Sequence, residues 1–378
     1  MKKLLLAGAI LAASSSSIYA QANALGQYKT ITTAVPFLLI APDSRCGAMG
    51  ETGVASTNDA NAMHWNPSML AFYPGTAGVG LTYSPWLRGL NIQDINLAYL
   101  SGYYNLGERG GVLGASLRYF SLGSINFTDY AGQPAGNGKP NEFAFDVGYA
   151  RKVTDVLSAG VALRYINSSI APNSDVVPNL RPANSAAGDI SFTYSDDFKI
   201  RRAGGQMPLN VKAAVNVSNI GAKMSYTKTS GNKNFIPTNL RFGWAAKAQL
   251  DDFNSLTLTN DYNKLLVPSA GGTSTKTLIS GIFGSFGDAT GGFSEEVSEV
   301  SAAVGMEYWY RNLFAARTGF FYEDPLKGNR KFITLGLGVK YSIVTVDFSY
   351  LAPLAQNHPL GNTLRFSLAL DFASGGNE

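Results

Sequence analysis

The stretch that decides the fold is Lys331–Tyr341, with the sequence KFITLGLGVKY, because its side chains alternate strictly in character. Every second position is large and apolar, at Ile333, Leu335, Leu337, Val339 and Tyr341. The positions between them carry Thr334, Gly336, Gly338 and Lys340. Successive side chains of a β-strand point to opposite faces, so this pattern predicts a strand with one apolar and one polar face.

The same alternation recurs from residue 76 to residue 372 and predicts fourteen strands. We place them at residues 76–84, 92–104, 111–121, 142–152, 156–167, 187–198, 208–219, 237–250, 254–264, 298–310, 313–322, 331–341, 343–351 and 362–372. They are about 9–13 residues long, which exceeds the ~5–6 residues of soluble sheets and suits a tilted membrane crossing. A soluble sandwich also alternates, but this length and the uniformly apolar face favour a membrane barrel.

The predicted connections also alternate in length. Short ones follow the even-numbered strands, at Asn105–Gly110, Val153–Asp155, Asp251–Phe253, Arg311–Asn312 and Ser342, with a longer one at Lys199–Met207. Long ones follow most odd-numbered strands, at 122–141, 168–186, 220–236 and 265–297. Outer-membrane barrels have short periplasmic turns and long outer loops. We therefore predict an all-β, 14-stranded antiparallel transmembrane β-barrel, integral to the bacterial outer membrane, with both chain ends in the periplasm.

The first twenty residues have the organisation of a secretory signal peptide. Lys2 and Lys3 precede the apolar run 4–13, and we expect cleavage after Ala20, with Ala22 as the alternative. Beyond residue 20, no apolar run approaches the ~18–20 residues of a spanning helix. The sequence therefore predicts an exported protein without a helical anchor.

Composition excludes several functional classes. Among 378 residues only 15% are charged, below the ~25% of soluble domains. The net charge of +4 includes no basic block, so we predict no nucleic-acid partner. The single Cys46 and the two histidines offer no metal-ligand spacing, and we predict no metal and no cofactor. His64 near Ser68 is the one sequence-local catalytic candidate, and it is too weak to predict an enzyme.

Residues 21–75 precede the barrel and do not alternate. Glycines at positions 47, 50 and 53 and the turn signal Trp65-Asn66-Pro67 predict a compact, turn-rich segment. Fourteen strands enclose a lumen wide enough to need a plug. We therefore expect a hatch at residues 21–75, a barrel at residues 76–372 and a short periplasmic tail at residues 373–378.

A family resemblance lies in this segment. The run Ala48–Ala71, AMGETGVASTNDANAMHWNPSMLA, resembles the hatch of the FadL-like outer-membrane proteins, with Asn66-Pro67-Ser68 where that superfamily usually has Asn-Pro-Ala. Within the superfamily, the whole mature chain resembles the PorV (LptO) family of type IX secretion barrel subunits. The sequences APDSR at Ala41–Arg45 and GGFSEE at Gly291–Glu296 add to this resemblance.

The resemblance implies a function that periodicity does not. Members of that family are non-enzymatic subunits that associate with a translocon barrel of the SprA/Sov type. They bind secreted proteins through a C-terminal type IX signal domain and deliver them to a PorU-type sortase of the surface attachment complex. Outer-membrane lipid would surround the barrel wall.

Two other functions remain open, because one fold can serve several. One is a FadL-type channel for hydrophobic small molecules, and the other is an outer-membrane enzyme. The predicted inward face is mostly small, polar or charged, which does not make a greasy channel, although the hatch could add apolar wall. Its charges could form structural ion pairs or line a selective conduit; they are Arg118, Asp146, Arg164, Lys212, Arg241, Lys247, Glu307, Arg317, Lys340, Asp347 and Arg365.

The loop at 265–297 is the longest and contains an apolar stretch. Leu278, Ile282 and Phe286 recur every four residues with Phe283 beside them, which predicts a short helix with an apolar stripe. Thr275 or Thr277 could cap its start. The stripe is either a lid over the barrel mouth or an anchor for a partner protein, for which we name Leu278, Ile282, Phe283 and Phe286.

The strand count makes a topological prediction. A cysteine introduced at Asn232, in an outer loop, should react with an impermeant maleimide on intact cells. A cysteine at Asn312, in a periplasmic turn, should react only after the outer membrane is opened. The reverse labelling pattern would contradict the strand count.

Overall fold

The structure is a computed structural model that describes residues 29–373, except residues 58, 91, 93, 108, 129–130, 171–179, 203–204, 228–232, 270–274 and 356–357. The predicted signal peptide at residues 1–20, the start of the hatch at 21–28, Asn232 and the tail beyond Ala373 lie outside the described residues. No helix in the part described is long and apolar enough to cross a bilayer.

The described residues form a closed barrel of fourteen strands in which every neighbouring pair is antiparallel. The strands are β1 (Gly75–Pro85), β2 (Ile95–Asn105), β3 (Val112–Leu122), β4 (Ile125–Thr128), β5 (Pro134–Gly138), β6 (Asn141–Lys152), β7 (Leu157–Ser169), β8 (Ala183–Arg202), β9 (Gly205–Gly221), β10 (Asn239–Gln249), β11 (Asn254–Leu265), β12 (Val300–Tyr310), β13 (Phe314–Tyr322), β14 (Lys331–Tyr341), β15 (Val344–Pro353) and β16 (Thr363–Ala373). All of these strands except β4 and β5 form the barrel wall, in chain order, and the wall closes where β16 pairs with β1. The short strands β4 and β5 form a separate hairpin inside the predicted loop 122–141.

The alternation read from the sequence corresponds to the two faces of the barrel wall. In β14, Leu335 and Leu337 are exposed on the outside, whereas Phe332 and Thr334 are buried inside. Exposed apolar side chains cover the outside of the other strands in the same way. An apolar exterior around a polar lumen is the surface that a bilayer requires. The prediction of a 14-stranded antiparallel barrel is confirmed.

The connections define two ends. The loop end carries the longer connections, at 86–94, 123–140, 170–182, 222–238, 266–299, 323–330 and 354–362. The turn end carries the shorter ones, at 106–111, 153–156, 203–204, 250–253, 311–313 and 342–343.

Several predicted strand boundaries were wrong: β2 begins at Ile95 rather than at 92, and β8 begins at Ala183 rather than at 187. Two further differences have identifiable causes. Within the expected connection Lys199–Met207, the described residues are strand, because β8 and β9 stay paired as far as Arg202 and Gly205. The strand expected from residue 298 begins at Val300 instead, because a helix occupies Phe293–Ser298. Two glutamates in its first turn favour the helix there by interacting with its N-terminal dipole.

The segment before β1 fills the lumen with short helices. They span Pro36–Leu39, Ser44–Gly47, Ala62–Trp65 and Pro67–Phe72. The turn Ser44–Gly47 packs against β14, β15 and β16, whereas Pro67–Phe72 packs against β3, β6, β7 and β8 across the barrel. We call residues 29–74 the hatch.

The orientation of the wall predicts the effect of a charge on each face. Replacing Leu335, an outward residue near the middle of β14, by Arg should lower the free energy of unfolding by about 2–4 kcal/mol, because the guanidinium would face hydrocarbon. Urea unfolding in lipid vesicles measures this change.

Lys340→Arg is the matched control, because Lys340 lies in the same strand and lines a lumen cavity. Its effect should stay within about 0.5 kcal/mol. Equal losses from the two variants would contradict the assignment of the faces.

Candidate functional site

The hatch crosses the lumen from one end of the barrel to the other. At the loop end, the Lys29 amide donates to the carbonyl oxygen of Leu326 (2.9 Å) and the Ala34 amide donates to that of Phe235 (2.8 Å). At the turn end, Tyr73 packs edge-on against Tyr103 of β2, with 5.1 Å between ring centroids. The first described residues therefore lie at the loop end, whereas Ala373 lies at the turn end. The two chain ends themselves lie outside the described residues, so the expectation that both are periplasmic stays a prediction.

The predicted hatch residues Trp65, Asn66 and Pro67 form its centre. Trp65 is fully buried, its indole Nε1 donates to Asp43 Oδ1 (2.6 Å), and the Arg241 guanidinium lies 4.5 Å above the ring. Asn66 Oδ1 caps the helix Pro67–Phe72 by accepting the Ser68 amide (3.0 Å), and Pro67 begins that helix. These contacts join Trp65 to Asp43 within the hatch and to Arg241 of β10 in the wall.

Two positions in the hatch require glycine, because neighbouring atoms leave no room there for a side chain. Gly50 has a φ of +72°, and a Cβ there would lie 2.8 Å from the Phe320 backbone of β13. A Cβ on Gly53 would lie 2.1 Å from the Trp65 ring. The glycine spacing noted in the sequence thus lets the hatch backbone lie against the wall and against its own tryptophan.

A buried ion network ties the hatch to the wall. Arg45 of the hatch and Arg317 of β13 both donate to the carboxylate of Glu307 in β12, each with an N–O distance of 2.7 Å. Arg317 also pairs with Asp347 of β15 (2.6 Å). A second link joins Arg365 of β16 to Glu51 of the hatch (2.7 Å). These contacts have the geometry of structural ion pairs.

Several carboxylates of the lumen were not among the predicted inward charges, and two of them contact the hatch or a buried arginine. Asp189 of β8 pairs with Arg164 (3.1 Å), and Asp261 of β11 accepts the hatch amides of Gly53 (2.8 Å) and Val54 (3.0 Å). The alternation of the predicted strand 254–264 places Asp261 on the inward face. Its inward position could therefore have been predicted from the sequence. The predicted strand 187–198 alternates in the same way, with Ile190, Phe192 and Tyr194 outward, and so places Asp189 on the inward face as well. The nearby register shift adds its extra residue to β9 and leaves the alternation of β8 intact.

Two separate cavities lie on either side of the hatch. The cavity at the turn end, about 320 Å³, is mainly polar, and its lining includes Asp59, Lys247 and Lys340. The cavity at the loop end is larger, about 810 Å³. Its lining mixes apolar and charged side chains and includes Ile31, Leu39, Ile40, Trp86, Arg241 and Leu360. The hatch contributes part of that apolar lining, and the sequence analysis had left this contribution open.

The predicted loop helix exists but is shorter than the stripe suggested. It spans Leu278–Gly284, and Thr277 caps it by accepting the Ser280 amide (3.3 Å). Leu278 and Ile282 are half-buried, whereas Phe283 is 74% exposed. Phe286 lies beyond the end of the helix and is also exposed.

Several large apolar side chains of this loop are exposed. They come from the helix Leu278–Gly284, from the residues after it and from the helix Phe293–Ser298. We call them the outer apolar face: Ile279, Phe283, Phe286, Phe293 and Val297. Phe293, 85% exposed, was not singled out in the sequence because it follows two glycines and no period includes it.

A cluster of lysines and glutamates, the loop clamp, fixes this loop over the barrel mouth. Lys264 pairs with Glu296 (2.9 Å) and Glu299 (2.7 Å), and Lys327 pairs with Glu295 (2.7 Å) and Glu299 (2.9 Å). Lys29 of the hatch also pairs with Glu295 (2.7 Å). Hydrogen bonds from Lys29 and Lys327 lower the pKa of Glu295 to about 2, so this carboxylate stays charged near neutral pH.

The structure does not bring His64 and Ser68 together. His64 Nδ1 lies 2.5 Å from Arg118 Nη2, whereas the Ser68 hydroxyl contacts Asn66 Oδ1 (2.6 Å) and Thr193 Oγ1 (2.7 Å). His64 therefore contacts β3 of the wall, whereas Ser68 contacts Asn66 of the hatch and β8 of the wall. Among the described residues, no group of three His, Cys, Asp or Glu side chains is placed to hold a metal ion.

Comparison with known proteins gives a family match. The model of the family described as "Type IX secretion system protein PorV" matches residues 23–271, more than half of the 378 residues. No curated protein matches the chain.

Solved structures resemble the chain in fold. The toluene transporter TodX of P. putida is 12% identical with a TM-score of 0.50, and the match covers 88% of this chain and 99% of TodX. A TodX deletion mutant, described as a monoaromatic hydrocarbon channel, has the same identity and coverage with a TM-score of 0.51. The Ralstonia pickettii toluene transporter TbuX is 13% identical with a TM-score of 0.47, covering 88% of this chain and 98% of TbuX. At such identities, the TodX structures indicate the barrel fold alone.

The ion network predicts which carboxylate holds the hatch. Replacing Glu307 by Gln leaves Arg45 and Arg317 without their shared buried anion, so the free energy of unfolding should fall by about 3 kcal/mol. Urea unfolding of the purified barrel, followed by tryptophan fluorescence, measures this loss.

Glu323→Gln is the control, because Glu323 pairs with Arg330, whose side chain is 39% exposed. This pair is more accessible to water, and its loss should cost less than about 1 kcal/mol. If Glu307→Gln cost no more than the control, the network would not hold the hatch.

Proposed function

The chain belongs to the PorV family of type IX secretion system proteins, and from this membership we propose that it is a non-enzymatic subunit of that system. It associates with an outer-membrane translocon of the SprA/Sov type. It binds secreted proteins through their C-terminal signal domain and delivers them to a PorU-type sortase of the attachment complex. The observation that carries this proposal is the match of the PorV family model to residues 23–271, and the exposed apolar side chains of the outer apolar face support it.

The proposal includes an orientation in the outer membrane. The loop end faces the cell exterior and the turn end faces the periplasm, as the difference in connection length favours. The outer apolar face is then presented on the cell-surface side, where secreted proteins emerge. Asp252, exposed in a described turn, offers a second labelling position beside Asn312.

The loop clamp supports an anchor rather than a lid. A lid would direct its apolar side chains into the barrel mouth, but Ile279, Phe283 and Phe293 are exposed. The side of the helix Leu278–Gly284 that faces the barrel carries Gly281 instead. A Cβ on Gly281 would lie 2.7 Å from the Phe235 ring. Exposed aromatic clusters of this kind mark protein interaction sites. We assign the translocon as the partner of this face.

A second candidate function is favoured by the loop-end cavity. Its volume of about 810 Å³ and its lining by Ile31, Leu39, Ile40 and Trp86 suit a hydrophobic small molecule. This is the FadL-type alternative. Charged residues of the loop clamp, Glu299 and Lys327, also line this cavity, so we treat this function as secondary.

The anchor assignment makes a direct prediction. Replacing Phe283 and Phe286 together by Ser should abolish co-purification of the translocon from solubilised outer membrane, because both aromatic side chains would leave the interface. Secretion should fall with it. The barrel should stay heat-modifiable on gels, since neither side chain is buried.

Phe253→Ser is the matched control, because Phe253 is a similarly exposed aromatic residue at the turn end. It should leave co-purification unchanged. Retained co-purification of the Phe283/Phe286 variant with normal secretion would refute the anchor and leave the lid.

A further inference from the structure

The hairpin of β8 and β9 projects beyond the barrel wall at the turn end. On one side, β7 pairs with β8 only as far as Tyr194, opposite Leu157. On the other side, β10 begins to pair with β9 only at Leu209, opposite Ala248. The remaining residues pair with each other alone, up to Arg202 and Gly205. At about 3.3 Å per residue, the part of β8 beyond Tyr194 extends for about 25 Å.

The projecting part of β8 has an open edge. The Ser195 amide donates to the carbonyl oxygen of Val156, away from β9 (2.8 Å). Because the direction of backbone groups alternates along an antiparallel pair, Asp197, Lys199 and Arg201 direct theirs the same way. The Asp197 amide donates to the side chain of Asp196 (2.8 Å). Among the described residues, no acceptor is recorded for the Lys199 and Arg201 amides.

The opposite edge of the same hairpin is blocked. On β9, Gln206 and Pro208 pair with Arg201 and Lys199, so their backbone groups face away from β8. Pro208 has no N–H, and a proline prevents an edge strand from recruiting another strand. The hairpin therefore has one edge that can accept a strand and one that cannot.

The two faces of the projecting part differ in character. Phe198 and Ile200 are exposed on the face that continues the lipid-facing side of β8. Lys199 and Arg201 are exposed on the other face, with no carboxylate partner among the described residues. A strand added here would alternate in the same way, with apolar side chains beside Phe198 and Ile200 and acidic ones beside Lys199 and Arg201.

We propose that the open edge of β8, at Asp197–Arg201, binds an extended segment of a partner protein that alternates apolar and acidic residues. The segment adds as a strand and accepts hydrogen bonds from the Lys199 and Arg201 amides. In the orientation proposed above, this partner is periplasmic. The binding itself does not depend on the secretion role or on the outer apolar face.

The test uses the purified full chain in detergent and a capped, fluorescent decapeptide that alternates valine and glutamate. Fluorescence anisotropy should show saturable binding. An otherwise identical peptide with N-methylated glutamates, or with lysine in place of glutamate, should bind at least about tenfold more weakly, because it lacks backbone donors or carries the wrong charge. A photoreactive group on the peptide should attach within residues 197–201.

Two variants of one residue separate the backbone from the charge. Arg201→Thr and Arg201→Pro both remove the guanidinium, but only proline removes the amide at the edge. Arg201→Pro should therefore weaken binding about tenfold more than Arg201→Thr. Pro208→Thr restores an amide on the blocked edge and should create a second attachment position there. Heat modifiability on gels shows that each variant is folded.

Several outcomes would overturn the proposal. One is equal binding by the two Arg201 variants, and another is attachment of the photoreactive peptide elsewhere on the chain. A dimer that Arg201→Pro converts to a monomer would make a second copy of this chain the occupant. Loss of peptide binding when the barrel is placed in lipid nanodiscs would mean that lipid headgroups cover the edge. None of these outcomes bears on the outer apolar face.

Discussion

One carboxylate, Glu307, governs the interior of this barrel. It is buried between Arg45 of the hatch and Arg317 of the wall, and neither guanidinium could remain in the lumen without an anion beside it. This contact joins the hatch to β12 and β13 beside the turn-end cavity. The division of the lumen into two cavities depends on the position of the hatch, and so does the path of the hatch toward the loop end, where Lys29 joins the loop clamp.

Periodicity was sufficient to predict the wall. Lipid outside and a filled lumen inside impose opposite requirements on neighbouring residues, so strands such as Lys331–Tyr341 could be placed from the sequence alone. Periodicity did not predict the part of β8 and β9 that extends beyond the wall. Gly205, Pro208 and the charges around them resemble a loop, and only the cross-strand pairing shows that the strands continue.

The hatch and the outer loop could be predicted in kind but not in detail. Trp65, Asn66 and Pro67 were recognisable as a motif, yet their contacts come from residues more than a hundred positions away, such as Thr193 and Asn216. The loop helix was expected from its spacing. Which side of the helix is exposed could not be predicted. The orientation of the helix depends on the packing of Gly281 against Phe235 and on ion pairs from lysines in three separate segments.

The contacts of the last strand with the hatch impose an order of assembly. β16 closes the barrel by pairing with β1, and it also holds the hatch through Arg365 to Glu51 (2.7 Å) and Ser367 Oγ to the Ser44 amide (2.9 Å). A hatch entering a finished cylinder would have to pass these groups and the clamped mouth. The wall must therefore fold around a hatch that is already in place, so the final seam completes the interior and the exterior in one event.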